Sequence, residues 1–248
     1  MQYLIAANWK MHGLAAQLVE IEAVAAAVTA TRPKADTLIC VPATLISRAV
    51  QTASGRIPIG GEDCGAEDAG AFTGDTSAGM LKDAGASAVI VGHSERRHYQ
   101  RETDAAVAAK ASAAWRAGLM AIICIGETDA QRRNGAAIST CGDQIAGSVP
   151  ETLADPGILA IAYEPLWAIG TGHMPAANEI VEMHAHIRQC LTTRFGQAAG
   201  KHIRILYGGS VKPANAREIL ALPNVGGALV GGASLHAADF NAIIRAAE

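Results

Sequence analysis

The chain has 248 residues, half of them hydrophobic but only 4% aromatic, with 17% charged residues and a net charge of −3. A chain of this length and polarity buries a large core and is not a disordered segment, and its core must be built mainly from Ala, Val, Leu and Ile. Charges of both signs are scattered without a basic stripe, so no nucleic-acid partner is expected, whereas local dipoles and one well-placed cation suffice for a small anion.

Short apolar runs recur along the whole chain and read as strands. In order they are 3–7 (YLIAA), 37–41 (TLICV), 57–61 (IPIGG), 88–92 (AVIVG), 120–125 (MAIICI), 159–164 (LAIAYE), 203–207 (IRILY) and 228–231 (ALVG). Most are continuous rather than alternating, the pattern of parallel strands covered on both faces. Between them lie Ala-rich stretches with helical spacing. The longer ones are Leu14–Thr31, Ala105–Ala117, Ala176–Phe195 and His236–Ala247, and shorter helices are predicted near 44–53, 77–84, 136–147 and 213–221. Eight strand–helix units of about 31 residues each are the arithmetic of a (β/α)8 barrel, here expected as one domain over 1–248. A doubly wound sheet is the alternative, but no GxGxxG follows the first strand.

Cys40, Cys64, Cys124, Cys141 and Cys190 form no CxxC pair. Neither a disulfide framework nor a zinc site is expected, and reduced thiols in a cytoplasm fit better. No run reaches the ~18 apolar residues of a membrane span, and Met1-Gln2-Tyr3 lacks the features of a signal peptide.

In a barrel, chemistry sits at the C-terminal ends of the strands. The distinctive polar residues fall there repeatedly: Asn8-Trp9-Lys10 after strand 1, Gly92-His93-Ser94-Glu95 after strand 4, Glu164 ending strand 6, Gly208-Gly209-Ser210 after strand 7 and Gly231-Gly232 after strand 8. Glu164 ends an apolar strand, where desolvation should raise its pKa and make it a base near neutrality. His93 precedes a short helix, whose positive N-terminal dipole disfavours the imidazolium and leaves a neutral ring able to donate to a substrate oxygen. Lys10 can neutralise a phosphate or a developing enolate, with Glu95 pairing with it and Asn8 adding a neutral donor. Trp9 is expected to pack beneath the loop. The glycine pairs let backbone N–H groups approach a phosphate. The segment 165–175, with Trp167 as a packing handle and Gly170 and Gly172 as flexible points, reads as a lid that excludes water.

These stretches resemble the triosephosphate isomerase family over essentially the whole chain. The resemblance rests on Asn8-Trp9-Lys10-Met11, Gly92-His93-Ser94-Glu95-Arg96-Arg97, Ala162–Gly172, Tyr207-Gly208-Gly209-Ser210-Val211 and Leu229–Leu235. It implies an isomerase interconverting dihydroxyacetone phosphate and glyceraldehyde 3-phosphate without metal or cofactor. Glu164 would be the base, neutral His93 the electrophile, and Lys10 and Asn8 the stabilisers of the enediolate. Gly170, Ser210, Gly231 and Gly232 would hold the phosphate. Gly70–Ser77 resembles the family's long third loop, which implies a homodimer in which Thr73 supports the partner's site.

Three departures from the family's pattern stand out. His173-Met174-Pro175 occupies the second lid hinge, Glu62 introduces a carboxylate in Gly61-Glu62-Asp63-Cys64, and His12 follows Met11. They leave room for an isomerase of a four-carbon ketose phosphate with the same mechanism. A catalytically inactive sugar-phosphate-binding barrel is the reading from a different class, and retention of Lys10, His93 and Glu164 together argues against it. Another phosphate-binding barrel would lack the Glu164–Gly172 lid.

Overall fold

The computed structural model describes residues 2–168 and 174–248. Eight parallel strands close on themselves in chain order: β1 Leu4–Asn8, β2 Asp36–Cys40, β3 Ile59–Gly61, β4 Ala88–Val91, β5 Met120–Ile125, β6 Leu159–Tyr163, β7 Arg204–Tyr207 and β8 Gly227–Val230. The ring is completed by β8 pairing with β1, Leu4 opposite Gly227. That closure requires glycine. Gly227 has φ +148, and a Cβ there would stand 2.0 Å from the Leu4 carbonyl oxygen.

The helices outside the ring are α1 Leu18–Thr31, α2 Ile46–Ala53, α3 Ala78–Asp83, α4 Ser94–Tyr99, α5 Asp104–Arg116, α6 Asp129–Arg133, α7 Ala137–Ser148, α8 Ala177–Gly200, α9 Ala216–Leu220 and α10 Ala237–Ala246. Most match the sequence expectation within a few residues. The third strand is shorter than 57–61 because Pro58 has no N–H to give the ladder. The helix expected to end at Phe195 continues to Gly200 across a break at Gly196, whose φ of +78 is readily adopted by glycine. The short α6 was not anticipated. Its five residues are too few to show periodicity, although Thr128 caps it by accepting from the Gln131 amide.

Strand alternation divides the core in two. Leu4, Ala6, Leu38, Cys40, Ala88, Ile90, Ile122, Cys124, Ala160, Ala162, Leu206 and Leu229 fill the barrel interior. Their neighbours along the strands, such as Ile5, Ile39, Val89, Ile123, Ile161 and Ile205, pack against the helices. Two faces buried at once explain the continuous apolar runs. Among the described residues no helix is long and apolar enough to cross a membrane.

The extension of β3 holds a charged network. Asp63 accepts from Lys110 at 2.8 Å, Arg96 reaches both Asp63 at 2.8 Å and Glu102 at 2.6 Å, and Lys110 also reaches Glu102 at 2.5 Å. Beside it Glu62 has a buried Oε1 with no hydrogen-bond partner among the described residues. Burial raises its pKa to about 8, with the Glu95 carboxylate adding to the rise and the Lys10 and Trp9 amides offsetting part of it. The folded protein therefore holds the Glu62 proton up to about pH 8, while the unfolded chain releases it near the ordinary value of 4.5. Between those two values the unfolded state binds fewer protons at this group, so the contribution of Glu62 to stability falls as pH rises and levels off above pH 8. Glu62→Gln removes this loss. Urea unfolding at fixed protein concentration should show the variant gaining stability over the parent from pH 5 to pH 9, by roughly 2–5 kcal/mol. A difference that does not grow with pH would contradict the assignment.

Candidate active site

Glu164 takes the inward position directly above Ala160 and Ala162, in the topmost layer of the barrel interior. The ladder sets its neighbours. Cys124 pairs with Ala162 and Ala162 with Leu206, so two residues further on Gly126 and Gly208 flank Glu164 on the adjoining strands. Both are glycines for a steric reason. A Cβ at Gly208 would come within 3.0 Å of the Glu164 Cγ, and one at Gly126 within 1.9 Å of the Glu164 carbonyl oxygen. The side chain fits at this crowded layer because its neighbours have none.

Glu164 is only 1% exposed. Its carboxylate accepts from the Ser94 amide at 3.0 Å and the Ser94 hydroxyl at 2.9 Å, and the His93 Nε2 lies 2.9 Å from its Oε1. This corrects the expected electrostatics. Burial does raise the Glu164 pKa, but the facing His93 ring and the two Ser94 donors outweigh it, and the net shift is downward. The carboxylate is thus a buried anion held by protein donors, whose basicity in this position is lowered rather than raised. Beneath it, burial drives the Cys124 thiol well up, with the Glu164 charge adding to the effect, so the sulfur stays protonated.

His93 is the N-cap of α4. Its Nδ1 accepts from the Glu95 amide at 3.2 Å, a role only an unprotonated nitrogen fills, which places the ring proton on Nε2. The turn before it needs Gly92, with φ +66 and Val107 methyls 2.7 Å from where a Cβ would be. Arg97 pins that turn by donating to the Gly92 carbonyl at 2.9 Å while reaching Asp104, Ser148 and the Cys124 carbonyl.

Lys10 stands just past β1 in the left-handed region, φ +57, a strained conformation for a lysine. Its amide donates to the Asn8 Oδ1 at 3.1 Å, and its ammonium is tied to Glu95 at 2.6 Å. Trp9 is buried, as expected. A cavity of about 310 Å³ brings Asn8, Lys10, His93 and Glu164 together with Gly208, Gly209, Ser210, Gly231 and Gly232. Gly209 is forced by the Tyr207 hydroxyl, 2.3 Å from a virtual Cβ, and a short 3₁₀ turn, Gly232–Leu235, opens at the cavity wall. The larger crevice of about 520 Å³, lined by Arg32, Asp36, Arg56 and Arg204, belongs to the opposite end of the barrel, where strand N-termini gather and stability rather than chemistry is served.

Of the remaining sequence-predicted residues, Gly170 and Gly172 of the lid and His173 of its hinge lie outside the described residues. Thr73 is exposed on its loop and does not line the cavity. The sequence reading passed over Ser94 and Glu127. Ser94 stands inside the His93 motif, where a serine after a histidine signals a helix start before it signals a carboxylate donor. Glu127 stands two residues past β5, at the same kind of strand end that drew attention elsewhere. Fully buried, it accepts from the Tyr163 hydroxyl at 3.0 Å and the Trp167 indole at 2.8 Å, anchoring the first turn of the lid segment. Lys212 is a further cation at the cavity rim.

The sequence profile of the triosephosphate isomerase family matches residues 3–247. Proteins named triosephosphate isomerase from Rhodopseudomonas palustris (strain BisA53) and Ruegeria pomeroyi are 56% and 58% identical, covering 97% and 99% of this chain and 95% and 97% of their own. The crystal structure of triosephosphate isomerase from Bartonella henselae superposes with a TM-score of 0.92 at 47% identity, covering 99% of both chains. By sequence and by fold, then, the chain belongs to the triosephosphate isomerase family.

Proposed function

We propose that the cavity at the barrel mouth interconverts dihydroxyacetone phosphate and glyceraldehyde 3-phosphate, with Glu164 as the base and His93 as the electrophile. The observation that carries this reading is the convergence of Glu164, His93 and Lys10 on one wall of a cavity whose other wall is Ser210, Gly231 and Gly232. One wall offers acid–base groups and a cation. The other offers backbone amides and a hydroxyl suited to a phosphate.

The steps follow from the groups. Glu164 removes a proton from the carbon next to the carbonyl. The His93 Nε2–H donates to the carbonyl oxygen as charge develops there, and the ring then carries protons between the two oxygens. Glu164 returns its proton to the neighbouring carbon, so that substrate and product differ only in where hydrogen sits. Lys10, held by Glu95, stabilises the enediolate with Asn8 beside it. Ser210, Gly231, Gly232 and Gly170 hold the phosphate. For Glu164 to act it must leave Ser94. The facing His93 ring is the largest influence that lowers its pKa; once that ring donates to the substrate oxygen and the two Ser94 donors are left behind, burial is what remains and raises it. In this view the Ser94 contact is a resting position, and the base is activated by the same movement that brings it to substrate.

Assembly as a homodimer fits the surface of the isolated chain. Met11, Phe72, Met80 and Tyr99 are large apolar side chains left exposed, Met11 at 97%. Thr73 projects from the same loop as Phe72 and is free to complete a second copy's site. All five cysteines are unpaired, which supports a reducing compartment such as the cytoplasm. We take the whole chain to act as one barrel domain.

Glu164→Gln should lower kcat on glyceraldehyde 3-phosphate by at least ~10³-fold while leaving inhibition by inorganic phosphate near that of the parent; turnover within tenfold of the parent would remove Glu164 from the role. Assayed side by side, the triose should be strongly preferred over a tetrulose phosphate, and the reverse preference would keep the mechanism but reassign the substrate. Specific activity should fall on dilution in step with the appearance of monomer in sedimentation. A fully active monomer would exclude a shared site.

A further inference from the structure

On the β5 side the main chain around Glu164 is held at two points, one at Ile125, where β5 ends, and one at Glu127, two residues beyond. The Glu164 amide donates to the Ile125 carbonyl at 2.7 Å, and the Leu166 amide donates to the Glu127 carbonyl at 3.2 Å. Gly126 lies between those two acceptors, in van der Waals contact with the Glu164 backbone. The position of Glu164 therefore depends on how firmly Gly126 is fixed, and a glycine has no side chain with which to fix itself.

The fixing comes from α7. Gln144 accepts from the Gly126 amide with its Oε1 at 2.7 Å and donates to the Gly126 carbonyl with its Nε2 at 3.0 Å. One side-chain amide thus grips both backbone groups of a single residue, as a neighbouring strand would. The helix itself is well anchored, since Ala137, Cys141, Ile145 and Ser148 bury the same face from which Gln144 projects. Gln144 also borders a cavity of about 260 Å³, lined in addition by Ser94, Gly126, Glu164 and Leu166. This is a separate space from the substrate cavity, and Gln144 does not line the latter.

We infer that Gln144 is a positioning residue for the isomerisation: by clamping Gly126 it sets the pivot about which the Glu164 carboxylate moves between Ser94 and the substrate carbon. The inference rests on Glu164 being the base. It assigns Gln144 an effect on the chemical step and none on the binding of inorganic phosphate, because Ser210, Gly231 and Gly232 follow β7 and β8, away from α7. An amide is required. A carboxylate at this position keeps the acceptor for the Gly126 N–H but opposes the Gly126 carbonyl, and an apolar chain of equal length makes neither bond.

The test compares Gln144→Met and Gln144→Glu with the parent, with Glu164→Gln run in parallel. Gln144→Met should fold with its circular dichroism unchanged and lose kcat by about 10- to 100-fold, the scale expected of an ångström-sized displacement of a reacting group. KM and the inhibition constant for inorganic phosphate should stay within about twofold of the parent, an RT-scale change. Gln144→Glu should fall between the two. A Gln144→Met protein that melts earlier but keeps the parental kcat would reduce Gln144 to a structural residue and overturn the inference, as would a parallel loss of phosphate binding. If Gln144→Met does not fold, the kcat of Gln144→Glu decides, and a parental value overturns the inference. Should Glu164→Gln itself remain active, the base assignment fails, and that failure is separable because it does not involve Gln144.

Discussion

The structure depends on placing one carboxylate in the top layer of a closed barrel without leaving it unpaired. An unpaired carboxylate buried this deeply costs several kcal/mol, and a side chain of this size does not fit beside ordinary neighbours. Both problems are solved locally. Gly126 and Gly208 vacate the space on either side, and Ser94 with His93 supplies the donors. The rest of the mouth follows from these demands. Ser94 must begin a helix to present its amide as well as its hydroxyl, which makes His93 the N-cap and fixes its tautomer through the Glu95 amide. One helix start thereby holds the anion, orients the imidazole and positions the partner of Lys10.

The charges form a chain rather than a set of isolated pairs. Lys10 is matched by Glu95, whose carboxylate also lies 3.6 Å from the His93 Nδ1. Glu95 thus holds the cation at the cavity wall without an ion pair to Glu164, where a lysine would lower the carboxylate pKa further. The left-handed backbone of Lys10, right after the strand, brings the residue to the cavity wall where Glu95 meets it.

Much of this was legible in the sequence. Continuous apolar runs gave the parallel barrel because both strand faces are buried. Strand-end motifs gave Asn8, Lys10, His93, Glu164, Ser210, Gly231 and Gly232, which do line one cavity. The Lys10–Glu95 pair was also anticipated. What escaped was what depends on register between strands. The glycine flanks of Glu164 look like ordinary turn glycines until Cys124, Ala162 and Leu206 are aligned. The direction of the Glu164 pKa shift could not be read either, because burial follows from a strand's apolarity whereas the groups that lower it, His93 first and then Ser94, come from another strand end about 70 residues away. Glu127 and Gln144 escaped for the same reason, since each acts through backbone or aromatic groups distant in sequence.

Register also accounts for a division of labour across the mouth. The acid–base groups come from β4 and β6, with β5 wedged between them as their support. The proposed phosphate wall follows β7 and β8, and Asn8 at the end of β1 and Lys10 just past it lie next to it around the ring. In the proposed reaction the substrate would set its phosphate on one arc and its reacting carbons on the other. Support reaches the two arcs through different helices: α7 grips β5 through Gln144, while Asn215 just before α9 holds the Ser210 carbonyl at 3.0 Å. Because the two supports share no contact, perturbing one should leave the other's energetics nearly additive. On the proposed roles, binding and chemistry would then be separable by substitution, although a closed barrel joins their strands into one sheet.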